Sequence, residues 1–115
     1  MKKPVRLNKY QEPLFVAKNE TESLIHRLRR QMIVHSYIYY KLNDSIWTDD
    51  FWQKQANRLR DIQKVYGDEI DFYDIDFKDW DGSTGMHLSQ EPWVLHRATR
   101  LLQYTESIGR SEYGI

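Results

Sequence analysis

Residues 19–67 read NETESLIHRLRRQMIVHSYIYYKLNDSIWTDDFWQKQANRLRDIQKVYG, and this stretch decides the fold. Asn19 followed by Glu22 is a helix-opening pair, a short capping side chain with an acid three residues later. Behind it Ile25, Leu28, Met32, His35, Tyr39 and Leu42 recur at spacings of three and four, the period of one helical face. The pattern predicts a helix of about 22 residues. From Met32 to Tyr40 it is apolar almost all round, which predicts burial on more than one side. Asn43-Asp44-Ser45 ends it. Thr48 then caps a second helix, with Asp49 and Asp50 in the first turn, where the helix dipole favours anions. Trp52, Ala56, Leu59, Ile62 and Tyr66 form its stripe, and Gly67 stops it. So short a link makes the two helices antiparallel. Facing stripes place Leu28, Met32, His35, Tyr39, Leu59 and Ile62 in one core.

Toward the C-terminus the pattern changes. Ile70, Phe72, Ile75, Phe77 and Trp80 interleave with Asp71, Asp74, Asp76, Asp79 and Asp81. Seven acids in residues 68–81 are too polar for a central strand, so the segment reads as irregular or weakly extended, its aromatics anchoring it on the core. After the Gly82–Gly85 turn, Pro92 opens a third helix whose buried face is Val94, Ala98, Leu101, Thr105 and Ile108, and Gly109 closes it. The expected class is mainly α: an antiparallel hairpin with a third helix across it. Residues 1–18, with Pro4 and Pro13, read as an arm containing a short extended piece near Phe15. Residues 19–109 form one helical domain, and 110–115 a frayed tail.

A chain of 115 residues supports one core. With no cysteine, it has no disulfide, thiolate zinc site or cysteine nucleophile. Lys plus Arg equals Asp plus Glu at 17 each, but unevenly. Residues 1–66 carry 13 basic and 7 acidic groups, and residues 67–91 carry 1 and 8. There is no membrane-length apolar run, and no apolar stretch follows the basic N-terminus, so a cytoplasmic protein is expected.

Between His35 and Gln63 two stretches stand out, His35-Ser36-Tyr37-Ile38-Tyr39-Tyr40 and Ser45-Ile46-Trp47-Thr48-Asp49-Asp50-Phe51-Trp52. They resemble the N-terminal helical domain of NAD-dependent bacterial DNA ligases over residues 24–66, without gaps. The resemblance implies a domain that clamps the nicotinamide mononucleotide half of NAD. Tyr39 and Tyr40 take the places of an aromatic pair that stacks on nicotinamide, and Asp49 that of a carboxylate near the ribose. Trp52 replaces a Tyr, losing its hydroxyl, and Gln53 replaces an Asp, losing its charge. These departures predict weak or absent NAD binding. The remainder of the chain looks like small phage-encoded proteins described as ligase-related. The ligases' Lys-x-Asp-Gly nucleophile has only a near miss here, Lys78-Asp79-Trp80-Asp81-Gly82, with one residue too many.

Other motifs carry less. The Asp-rich stretch fails as a calcium loop, because positions one and twelve would be Phe77 and Leu88. His26, His35, His87 and His96 form no short metal motif, and a buried, satisfied imidazole is the reading for His35. Arg27, Arg29, Arg30 and Lys41, with Lys54, Arg58, Arg60 and Lys64, read as solvated helix faces rather than a track for a nucleic-acid backbone.

The function expected from the sequence is a non-catalytic, phage-type protein that binds a host protein in the host cytoplasm. The partner would be a nucleic-acid-binding enzyme, and the action that of a host-defence or anti-CRISPR-type inhibitor. Its binding face would be Asp71, Tyr73, Asp74, Asp76, Asp79 and Asp81, carboxylates that imitate nucleic-acid phosphates in a basic groove. No cofactor or metal is required. The alternative is a module binding NAD or nicotinamide mononucleotide through Tyr39, Tyr40, Asp49, Trp52 and Gln53, or an accessory to a ligase-like adenylation.

Overall fold

The structure, a computed structural model, describes residues 8–109. Four helices follow one another: α1 (Glu20–Lys41), α2 (Asp49–Tyr66), α3 (Asp74–Phe77) and α4 (Pro92–Ile108). Among the described residues there is no strand. The tail reading for 110–115 lies outside the described residues, as does the start of the arm.

Local chemistry sets each boundary. Asn19 Oδ1 accepts the Glu22 N–H at 2.9 Å. The Glu22 carboxylate reaches back one residue beyond the cap, to the Lys18 N–H at 3.0 Å, and accepts the Tyr66 hydroxyl at 2.7 Å. The start of α1 is thereby tied to the end of α2, which fixes the hairpin as antiparallel. Thr48 Oγ1 accepts the Phe51 N–H at 3.1 Å to cap α2. At the other end Gly67 takes φ 110°, a left-handed value that glycine reaches without steric cost.

Helix α1 is the centre of the molecule and packs on both α2 and α4. Ile25, Met32, Ile33 and Ile38 on α1 are fully buried, as are Ala56 and Leu59 on α2 and Val94 and Ala98 on α4. Burial on two sides explains why the middle of α1 is apolar almost all round. Ile70, Phe72, Phe77 and Trp80 anchor the acidic segment in the same core.

Several expectations are corrected. Tyr39 is half exposed rather than in the core. Near the end of α1 the neighbour is the connection rather than α2, and Trp47 fills the space, stacked flat on His35 at 3.6 Å. The face read for α4 holds at Val94, Ala98 and Thr105, with Leu101 packed against the core, but Ile108 is exposed and Trp93, beside that face, is buried. Within the acidic segment one turn of helix, α3, forms where no helix was expected. Near Phe15 the chain forms neither helix nor strand. Its ring stacks on His26 with centroids 4.9 Å apart, and Glu12 pairs with Arg30 at 2.6 Å and Arg97 at 3.3 Å.

Arg29, read from sequence as part of a solvated face, is completely buried. Its Nε donates to Gln63 Oε1 at 2.8 Å, and Nη2 to the Asp68 carbonyl at 2.7 Å. Nη1 donates to the Phe72 carbonyl at 2.8 Å and to Asp74 Oδ1 at 2.6 Å. The Phe77 ring lies 5.2 Å from the guanidinium carbon. Asp74 is the counter-ion, and it also accepts the backbone N–H groups of Ile70 and Asp71. Burial pushes the Asp74 carboxyl up, but Arg29 and those N–H groups outweigh it and hold it below the usual carboxylate range.

Arg29→Ala leaves two carbonyls and a carboxylate without their donor, and unfolding by urea should show a loss of about 3–5 kcal/mol. Arg29→Lys should recover little of it, because an ammonium cannot reproduce the planar fork. A loss below about 1 kcal/mol in both variants would refute the role assigned to this side chain.

Candidate functional site

The last turns of α1 carry His35, Tyr39 and Tyr40, and the first turns of α2 carry Asp49, Trp52 and Gln53. On α2 those three positions are separated by three and four residues, so they share one face. The connection supplies Ser45, Ile46 and Trp47, and Ser83 closes the far side. Together they line a cavity of about 190 Å³. A shallower cavity of about 470 Å³ adjoins it, sharing Tyr39, Tyr40 and Ser45 and adding Asn43 and Asp44.

Aromatic faces dominate the walls. Tyr39 and Tyr40 meet edge to face, centroids 4.9 Å apart, and Trp47 receives the edge of Phe51 at 5.0 Å. Behind Trp47, burial pushes His35 down to about 3, so its imidazole is neutral at ordinary pH. The Gln53 amide donates to the Gly82 carbonyl and to Asn57 Oδ1, each at 2.9 Å. The Tyr40 and Thr84 hydroxyls share a hydrogen bond of 3.2 Å. These contacts sew the 82–85 loop onto the hairpin as one wall of the cleft. The loop sits close: a Cβ at Gly85 would fall 2.0 Å from Ser36 Oγ on α1, so only glycine fits there.

The five residues read from sequence as cofactor-binding, Tyr39, Tyr40, Asp49, Trp52 and Gln53, thus meet at one cavity. Sequence reading missed His35, Ser45, Ile46, Trp47 and Ser83 as lining. Trp47 and Ser45 carried a signal, since they lie within the quoted connection. Ser83 carried none, because only folding brings the loop over the hairpin. The set offers flat π surfaces, a carboxylate and hydrogen-bonding groups, which suits it to hold a planar ring. Lys78 lies outside the lining. Among the described residues no group of three or more His, Asp or Glu side chains could hold a metal ion. No helix there is long and apolar enough to cross a membrane.

The residues read as a partner-binding face are placed differently from one another. The Asp74 carboxylate holds Arg29. Asp76 Oδ2 accepts the Ser89 N–H at 2.7 Å, and burial pushes its carboxyl up. Asp81 Oδ1 accepts the Ser83 N–H at 2.9 Å and its hydroxyl at 2.7 Å. The Tyr73 hydroxyl donates to the Glu91 carboxylate and accepts Trp93 Nε1–H at 2.7 Å. Asp71 and Asp79 take φ 58° and 55°, left-handed values that Asp tolerates better than most residues. Many of these acids therefore serve the segment's own turns, which the sequence reading did not foresee.

Against known proteins, the chain is 38% identical over 42 residues to the DNA ligase of Thermotoga petrophila. It matches the DNA ligase of Thermotoga sp. strain RQ2 with the same identity and length. The match covers 36% of this chain and 6% of each ligase. A short part of the chain is therefore similar to DNA ligase. No protein-family profile matches the chain, and no solved structure does.

The neutral state of His35 has a measurable consequence. Unfolded, its imidazole takes a proton near its ordinary value of 6.5, whereas folded it resists down to about 3. Its contribution to stability is complete above the unfolded value and falls as pH drops through that window, with a slope of about 1.4 kcal/mol per pH unit. Proton NMR should find the His35 ring neutral at pH 5, and His35→Gln should lack that slope in acid unfolding. A ring that titrates above pH 6 would overturn the assignment.

Proposed function

We propose that the chain is a non-catalytic module that binds the nicotinamide half of a nicotinamide nucleotide, encoded by a phage or prophage. In this reading it does what the N-terminal helical domain does in NAD-dependent DNA ligases. One observation carries the proposal. Five residues from two helices, singled out by the ligase-like pattern, line a single cavity of about 190 Å³.

The chemistry is consistent with that ligand. Oxidised nicotinamide is a planar, positively charged ring, and aromatic faces beside a carboxylate attract such a cation. An engineered cavity of roughly 150 Å³ holds one benzene ring, so the cleft has room for one six-membered ring with its carboxamide. The adjoining cavity leaves the ribose an open path. The departures from the ligase pattern have structural uses here. Trp52 widens the π surface, and the Gln53 amide donates to the Gly82 carbonyl, which a carboxylate there would repel.

Titration calorimetry with nicotinamide mononucleotide and with NAD should show one site with a dissociation constant of about 10 μM to 1 mM. Asp49→Ala and Trp52→Ala should each weaken it about tenfold, the equivalent of about 1.4 kcal/mol. No heat from either ligand at millimolar concentration would sink the reading.

A second reading, a protein that binds a host protein, draws on Ile75. This side chain is 90% exposed on α3, between Asp74 and Asp76 and near the exposed Asp79. An apolar knob among acids suits a basic groove with a hydrophobic notch. Ile75→Asp with Asp79→Lys should then keep the helical circular dichroism while abolishing co-purification of a host protein. Undiminished co-purification would discard this face.

A further inference from the structure

Resting on the nicotinamide reading, we infer that the 82–85 loop is a lid, which opens without unfolding the helices and closes on a ring held in the cleft. Its two stems are fixed and its span is not. Trp80 and Leu88 are buried in the core, and His87 is tied to the Asp76 carbonyl at 2.9 Å. Asp81, Ser83, Thr84 and Met86 between these anchors are all exposed. The buried members of the span are Gly82 and Gly85, which have no side chain to pack. A segment that commits so little apolar surface opens locally while the core holding its stems stays intact.

Polar contacts hold the span down instead. Gln53 donates to the Gly82 carbonyl, the Tyr40 and Thr84 hydroxyls share a bond, and the Trp80 indole donates to the Thr84 carbonyl at 2.8 Å. Arg60 on α2 adds an attraction to Asp81. Tyr40 and Gln53 also line the cleft, as does Ser83 on the span itself. A ring in the cleft therefore packs against the side chains that hold the lid, and against the lid. Closure also has a counterweight. Gly85 lies over Ser36, whose hydroxyl is buried and has no partner among the described residues. Leaving a buried hydroxyl unbonded is costly, and lifting the lid returns it to water. The closed lid is thus held by few bonds and opposed by one group, so contacts added by a ligand shift its position.

The test is hydrogen exchange of the indole N–H groups, followed by NMR on the full chain with and without saturating nicotinamide mononucleotide. The Trp80 indole reports the lid through Thr84, and the Trp93 indole, bonded to Tyr73, reports the core. Without ligand, Trp80 should exchange at least tenfold faster than Trp93. Ser36→Ala should slow Trp80 at least threefold relative to Trp93, because closure no longer strands a hydroxyl. Gly85→Ala, whose Cβ would collide with Ser36, should speed Trp80 at least tenfold with helical circular dichroism intact, and Ser36→Gly in that background should reverse the effect. The mononucleotide should slow Trp80 at least threefold relative to Trp93. Equal exchange of the two indoles, or no response to Ser36→Ala, overturns the lid. Calorimetric binding that leaves Trp80 exchange unchanged overturns closure on the ligand while leaving the nicotinamide site intact. A mononucleotide that does not bind overturns the nicotinamide reading and the coupling with it, and the ligand-free rates still decide whether the loop opens.

Discussion

A single guanidinium, fully buried on α1, holds together the parts of this molecule that periodicity does not. Arg29 reaches Gln63 on α2, two carbonyls of the segment that follows and the Asp74 carboxylate. A buried charge is costly unless paired and fully hydrogen-bonded, so the segment must present acceptors at set positions. Much of its irregular path follows from that demand. Asp74 collects backbone N–H groups from the loop before it as well as the arginine, so one carboxylate shapes both sides of the pair.

The same demand accounts for the unusual backbone. Asp71, Tyr73 and Asp79 all take left-handed conformations within nine positions. For Tyr73 that conformation is strained, and its hydroxyl is pinned between Glu91 and the Trp93 indole. The chain is thus led from α2 back across α1 and delivered to the start of α4. Along the way, the 82–85 loop is laid against the hairpin's open end. Gly85 lets it pass close over Ser36, and Gln53 and Tyr40 hold it there. The cleft exists because of this closure: a bare hairpin would have the aromatic walls but not the side that Ser83 supplies.

The acidic segment shows how composition and role can diverge. A run of carboxylates reads naturally as a surface that repels its own kind and attracts a basic partner. In the folded chain several of them accept N–H groups from turns that have no helix or strand to satisfy them. Asp is the residue that does this locally, so the same composition arises from backbone need. What remains outward is smaller: Ile75 on α3, with Asp79 exposed close by in sequence.

How much was legible in the sequence follows from the range of each interaction. Caps, dipole-matched acids, a glycine stop and a threefold–fourfold apolar repeat act within a few residues, so α1, α2 and α4 and the hairpin were readable from the string alone. So were the five residues of the cleft that sit on those helices, because their spacing and their likeness to a known pattern are local. Tertiary structure alone decided the burial of Arg29, the exposure of Tyr39, the helical turn at α3 and the wall made by Ser83. Each depends on which distant group arrives alongside. A basic residue on a helix looks the same in sequence whether water or a carboxylate from 45 positions away will meet it, and only packing settles which.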